Sequence, residues 1–206
     1  MPFGTREMLT IVVSASFAAG LNVYATVATL GLLGRFRVLP LPPSLHMLTN
    51  EWTIGVAALL FAVEFVADKI PAFDLLWNAL QTFVRVPVAA LLAFAAASQL
   101  SPKAQIASAL LGAAIALAAH GSKLAVRSAV TPSPEPFSNS ILSLGEDAGA
   151  IALTWFATAH PYIAAAIVLL ALLIIILLVR VIWRAVRKIF GGAAAQWQRL
   201  QAPASN

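Results

Sequence analysis

Tyr162–Trp183, YIAAAIVLLALLIIILLVRVIW, decides the fold: it runs from Tyr162 to Val179 without a charge, and Arg180 is its only ionised residue. A bilayer core about 30 Å thick needs about 20 apolar residues in a helix, and a run of this length and purity reads as a membrane span. Upstream, the chain offers further apolar segments at Met8–Leu33, Trp52–Ala67, Leu75–Ala97, Ala104–Gly121 and Ser140–Ala159. The expectation is therefore an all-α integral membrane protein, a bundle of about six transmembrane helices. Residues 1–190 form the transmembrane domain and residues 191–206 a flexible cytoplasmic tail.

Composition agrees with that reading. The 206 residues are 61% hydrophobic and 10% charged, whereas soluble domains carry about 25% charged residues. The net charge of +5 arises from basic residues between and after the apolar segments, which points to anionic lipid headgroups rather than nucleic acid. The chain has no cysteine, which excludes disulfides, thiolate metal sites and a cysteine nucleophile. No cofactor motif is present. The first apolar run continues well beyond the length of a signal-peptide core and has no clean cleavage site, so it reads as a retained helix.

Prolines set the connections. Pro40, Pro42 and Pro43 forbid a continuous helix between the first two segments. Ser101-Pro102 and His160-Pro161 make short turns, and the stretch from Thr131 to Pro136 reads as extended. An arrangement with the N-terminus inside puts Arg6, Lys69, Lys123, Arg127, Arg180, Arg184, Arg187, Lys188 and Arg199 on the cytoplasmic side, against Arg35, Arg37 and Lys103 outside. Both termini are then cytoplasmic. The mixture of cations and large apolar residues from Arg180 to Phe190 suits a helix end lying along an anionic surface, or simply a flank that stops transfer.

The few charges are placed in a pattern. Glu64 and Asp68 lie four apart at the end of the second segment, followed by Lys69 and Pro71. Asp74, Asn78, Gln81, Thr82 and Arg85 form a stripe on the third. His120, Lys123 and Arg127 close the fourth at spacings of three and four, and Asn139, Ser143, Glu146 and Asp147 open the fifth. Two charged, proline-containing hairpins thus follow one design, which reads as an internal repeat, parallel in this topology, with a three-plus-three inverted repeat that pairs the segments differently as the alternative. A charge at mid-bilayer costs about 2.5–3.5 kcal/mol on insertion scales, so these groups are expected to be paired or wet. The candidate polar site comprises Glu64, Asp68, Lys69, Asp74, Arg85, His120, Lys123, Arg127, Asn139, Ser143, Glu146 and Asp147, with Glu64 and Arg85 facing the same space as Glu146 and Asp147.

Gly20-Leu21-Asn22, Glu64 with Ala67-Asp68-Lys69-Ile70-Pro71 and Asp74, Thr82 and Arg85, His120, Lys123 and Arg127, and Ser138-Asn139 with Ser143 and Glu146-Asp147 together resemble a bacterial membrane family known as domain of unknown function 4126. The chain departs from that family's Arg-Pro-x-x-Gly pattern at Arg85-Val86-Pro87-Val88-Ala89. The resemblance implies a fold, a residue set and the bacterial inner membrane, and no reaction. Three functions compete. Intramembrane acids favour a transporter or permeation pathway for a small ion or solute. A structural or assembly protein, with small residues permitting a homo-oligomer, is the alternative. An enzyme acting on lipid headgroups is the third, without a zinc, nucleophile-elbow or phosphate-loop motif to support it.

Overall fold

The computed structural model describes residues 4–38, 41–130 and 136–201. These form eight helices and no strand: α1 (Thr5–Leu21), α2 (Val23–Arg35), a 3-10 helix (Pro43–Thr49), α3 (Glu51–Ala67), α4 (Pro71–Ala96), α5 (Pro102–Val130), α6 (Pro136–Ala159) and α7 (Pro161–Gln201). Pro71, Pro102, Pro136 and Pro161 each open a helix, where a missing N–H costs nothing and the fixed φ is already helical. Pro136, expected in an extended stretch, is thus the first residue of α6. The rest of that stretch, Thr131 to Glu135, lies outside the described residues, as do residues 202–206 of the expected tail.

The first apolar segment is not one helix. It breaks at Asn22, whose φ of −150° and ψ of 107° are extended, and the Asn22 side chain accepts a hydrogen bond from the Ala25 N–H at 2.9 Å to cap α2. Counting by length and apolarity, three helical stretches among the described residues can cross a bilayer: Leu76–Ala96, Pro102–Ser128 and Pro161–Arg184. A fourth is added if the 3-10 helix and α3, bent by 64°, are taken as one span. The expected count of six is therefore not reached on these criteria. α1 contributes only the shorter apolar stretch Met8–Leu21, and α6 carries too much polarity in its first turns.

The chain divides into two compact units, Met1–Leu169 and Leu170–Asn206. In the first, α1 packs against α4, α5 and α6, α4 lies along α5, and α2 lies against α3, α6 and the 3-10 helix. The contacts are made by small residues: Ala18, Ala19, Ala89, Ala93, Ala116 and Ala119 are all buried. Close backbone approach of this kind supplies the dispersion and polar contacts that hold helices together where lipid offers no hydrophobic drive. The second unit is the distal part of α7, apolar and exposed to Trp183, with Arg187 5.2 Å over the Trp183 ring.

Candidate functional site

The ends of α3 and α5, the middle of α4 and the first half of α6 bring seven ionisable side chains and a histidine together. Glu64 and Asp68 leave α3 on one face, and both are buried. Arg85, about four turns into α4, forms an ion pair with Glu64 in which neither side chain touches solvent. The second hairpin supplies Lys123, whose Nζ stands 3.1 Å from Glu146 Oε2, 3.2 Å from Asp68 Oδ2 and 3.7 Å from Glu64 Oε1. Arg127 lies one turn further on. Its Nη2 donates to Asp68 Oδ2 at 2.9 Å and to Glu146 Oε2 at 2.5 Å, and its Nη1 donates to the Asp68 carbonyl at 3.3 Å. Glu146 is the network member with the most solvent contact, at 13% side-chain exposure.

The broken first segment closes the network. Where α1 stops, its last carbonyls have no helical partner, and Arg85 Nη1 donates to the Leu21 and Gly20 carbonyls at 2.7 and 3.3 Å. Asn22 Nδ2 donates to Asp147 Oδ1 at 2.8 Å. His120 is oriented from both sides. Its Nδ1 lies 3.0 Å from Arg85 Nη1; a guanidinium can only donate, so Nδ1 accepts and the ring hydrogen sits on Nε2. Nε2 then donates to the Asn78 carbonyl at 2.9 Å, with the Thr82 hydroxyl also at 2.9 Å.

Glu64, Asp68, Arg85, His120, Lys123, Arg127, Glu146 and Asp147 therefore meet in one place, and the two hairpins share it through Lys123. Arg127, which the sequence also puts among the cytoplasmic-side cations, is wholly buried. Ser143 is buried on the same face of α6 as Asp147, with its hydroxyl unpartnered. Lys69 is elsewhere: its Nζ donates to the Phe65 carbonyl at 2.8 Å and sits 3.0 Å over the Phe65 ring, so it finishes its own helix. The side chains of Asp74 and Asn139 lie outside the described residues. Sequence reasoning missed Asn22 and the Gly20 and Leu21 carbonyls as members. The signal was there, a glycine and an asparagine two apart inside an apolar run. Among the described residues no group of three or more His, Cys, Asp or Glu side chains is placed to hold a metal ion.

Glu64, Asp68 and Glu146 pair with the three cations Arg85, Lys123 and Arg127, and a fourth acid, Asp147, is held by neutral Asn22. Glu64 Oε2 and Asp147 Oδ2 are buried without a hydrogen-bond partner.

An enclosed ion network spread over four helices and a helix break, beside apolar helices of bilayer length, defines a class of helical proteins with polar machinery inside an apolar shell. The chain belongs to the family described as Domain of unknown function (DUF4126), which matches residues 9–181 and so takes in every member of the network. No curated protein and no solved structure matches the chain.

Proposed function

We propose that the chain is a multi-pass protein of the bacterial inner membrane that moves a proton or small cation through the buried network. In this reading the broken α1–α2 segment and α6 complete six crossings, both termini are cytoplasmic, and the basic stretch after Arg180 meets anionic headgroups. The observation that carries the reading is Lys123, within 3.1–3.7 Å of Glu64, Asp68 and Glu146, which joins the two hairpins into one charge system. Buried ion pairs are a poor way to stabilise a bundle, because apolar residues of similar volume do as well or better. A network with a fourth acid and unpartnered oxygens has a use in carrying charge. Non-helical backbone deep in a bilayer is tolerated where protein or a cavity satisfies it, and helix breaks are where many transporters hold their ions.

Asp147 is the residue to test. Its hydrogen bond comes from neutral Asn22, and an asparagine oxygen at position 147 would still accept it. Asp147→Asn thus removes the fourth acid without stripping a partner from Lys123 or Arg127. Purified chain reconstituted into vesicles holding a pH-sensitive dye, under an imposed potential and a proton or sodium gradient, should show flux. Asp147→Asn should abolish it with detergent melting unchanged or raised. Wild-type vesicles tight to protons and alkali cations would overturn the proposal and leave the network as a lock between the hairpins.

A further inference from the structure

Further along α4, past Arg85, an apolar groove of about 700 Å³ lies at the bend between the 3-10 helix and α3. Its walls come from α2, the 3-10 helix, α3 and α4, with Val27, Leu48, Val56, Leu60, Leu91 and Leu92 among them. The volume is that of a small-molecule site, for which about 300–1,000 Å³ is usual. Tyr24 of α2 lines the groove, and its hydroxyl accepts a hydrogen bond from Gln81 Nε2 at 3.2 Å. The groove's outer end lies between the start of α3 and the end of α4, where Trp52 is 83% exposed. An exposed tryptophan at a helix start is typical of the headgroup level of a bilayer.

That end of the bundle is electropositive. Arg35 reaches across from the end of α2 to pair with Glu51, the residue before Trp52. Arg37, two residues on, and Lys103, at the start of α5, are exposed. Among the described residues near this end, three cations face the single acid Glu51.

We infer that the groove is a binding site for one anionic phospholipid, an acyl chain lying between α2, α3 and α4 and the phosphate headgroup held by the cations at the outer end. The inference rests on the membrane reading and not on ion movement. Apolar walls take the chain, the tryptophan marks the depth at which chain gives way to headgroup, and the charge at the mouth selects the headgroup's sign. This site shares no residue with the basic stretch after Arg180, and it approaches the helix break, since Val23 and Tyr24 in its lining directly follow Asn22.

The full chain, purified in mild detergent and analysed by native mass spectrometry, should retain one phospholipid, and added phosphatidylglycerol should raise its melting temperature more than phosphatidylcholine. Val56→Trp places an indole in the groove from an already exposed position and should reduce the retained lipid to background. Leu110→Trp, at a still more exposed position on α5 that does not line the groove, should leave it. Arg37→Gln with Lys103→Gln should abolish the preference for phosphatidylglycerol. Absence of bound lipid from the wild type, or retention unaltered by Val56→Trp, would overturn the inference. So would a wild-type dimer that Val56→Trp converts to monomer with no lipid lost, which would assign the groove to a second copy of the chain.

Discussion

A methyl group added at Gly20 would stand 2.6 Å from the Ala116 carbonyl oxygen and 2.7 Å from the Ala119 side chain, so α1 and α5 can touch there only through glycine. At Gly112 the same addition meets Ala93 at 2.5 Å and the Ser16 hydroxyl at 2.8 Å, where α5 crosses α4 and α1. Backbone and short side chains cannot swing aside, so helices must part. Gly20→Ala and Gly112→Ala are each expected to cost about 1–3 kcal/mol, the usual penalty of overpacking, read as lowered detergent melting. Gly121→Ala and Gly145→Ala meet nothing within 4 Å and should be neutral or slightly stabilising. From the sequence, the abundance of small residues signalled close packing, but not which glycines carried it. That depends on which helix faces which, and no periodicity in a helix apolar all round reveals a partner.

At the scale of elements, the α3–α4 turn shows how one residue joins two hairpins. Asp68 follows the last residue of α3, beyond the span, and receives Lys123 and Arg127 from α5. Burial works to raise its pKa, but the two cations and the Lys123 hydrogen bond outweigh it and hold the carboxyl below the ordinary aspartate value. A folded value lower than the unfolded one stabilises the fold above the unfolded pKa, and that contribution is lost as pH falls through the folded value. Detergent melting should accordingly hold through mildly acid pH with respect to this group and fall once the pH drops below the ordinary aspartate range of about 3.9. A loss already complete above that range would contradict the assignment. The convergence itself was legible in the sequence. Glu64 with Asp68, and His120 with Lys123 and Arg127, recur at three and four, which places each set on one helical face, and neither face can profitably meet lipid. The break at Asn22 was not legible by apolar counting, because hydrophobicity continues through it and the groups that satisfy it, Arg85 and Asp147, come from 63 and 125 residues away.

For the whole molecule, the orientation in the membrane depends on which cations are free to act as loop charges. Lys123 and Arg127 were counted toward the cytoplasmic side, yet both are buried against carboxylates and carry little weight in a rule that concerns exposed loops. Setting them aside leaves Arg6, Lys69, Arg180, Arg184, Arg187, Lys188 and Arg199 against Arg35, Arg37 and Lys103. The bias keeps its sign, but much of it now rests on residues after Arg180, so the orientation of α5 needs a test of its own. The absence of cysteine makes that test clean, since any cysteine introduced is the only one in the chain. Lys103, at the first turn of α5, and Ser128, in its last, are both exposed and stand at opposite ends of one helix of bilayer length. With the N-terminus inside, Lys103→Cys should react with a membrane-impermeant maleimide in intact cells, and Ser128→Cys only after the membrane is opened. The reverse pattern would invert the bundle and turn the exposed edge of the network at Glu146 toward the outside. Labelling of both in intact cells would mean that α5 does not cross the bilayer at all. The ion network would then have no side to carry charge from, whatever its internal geometry.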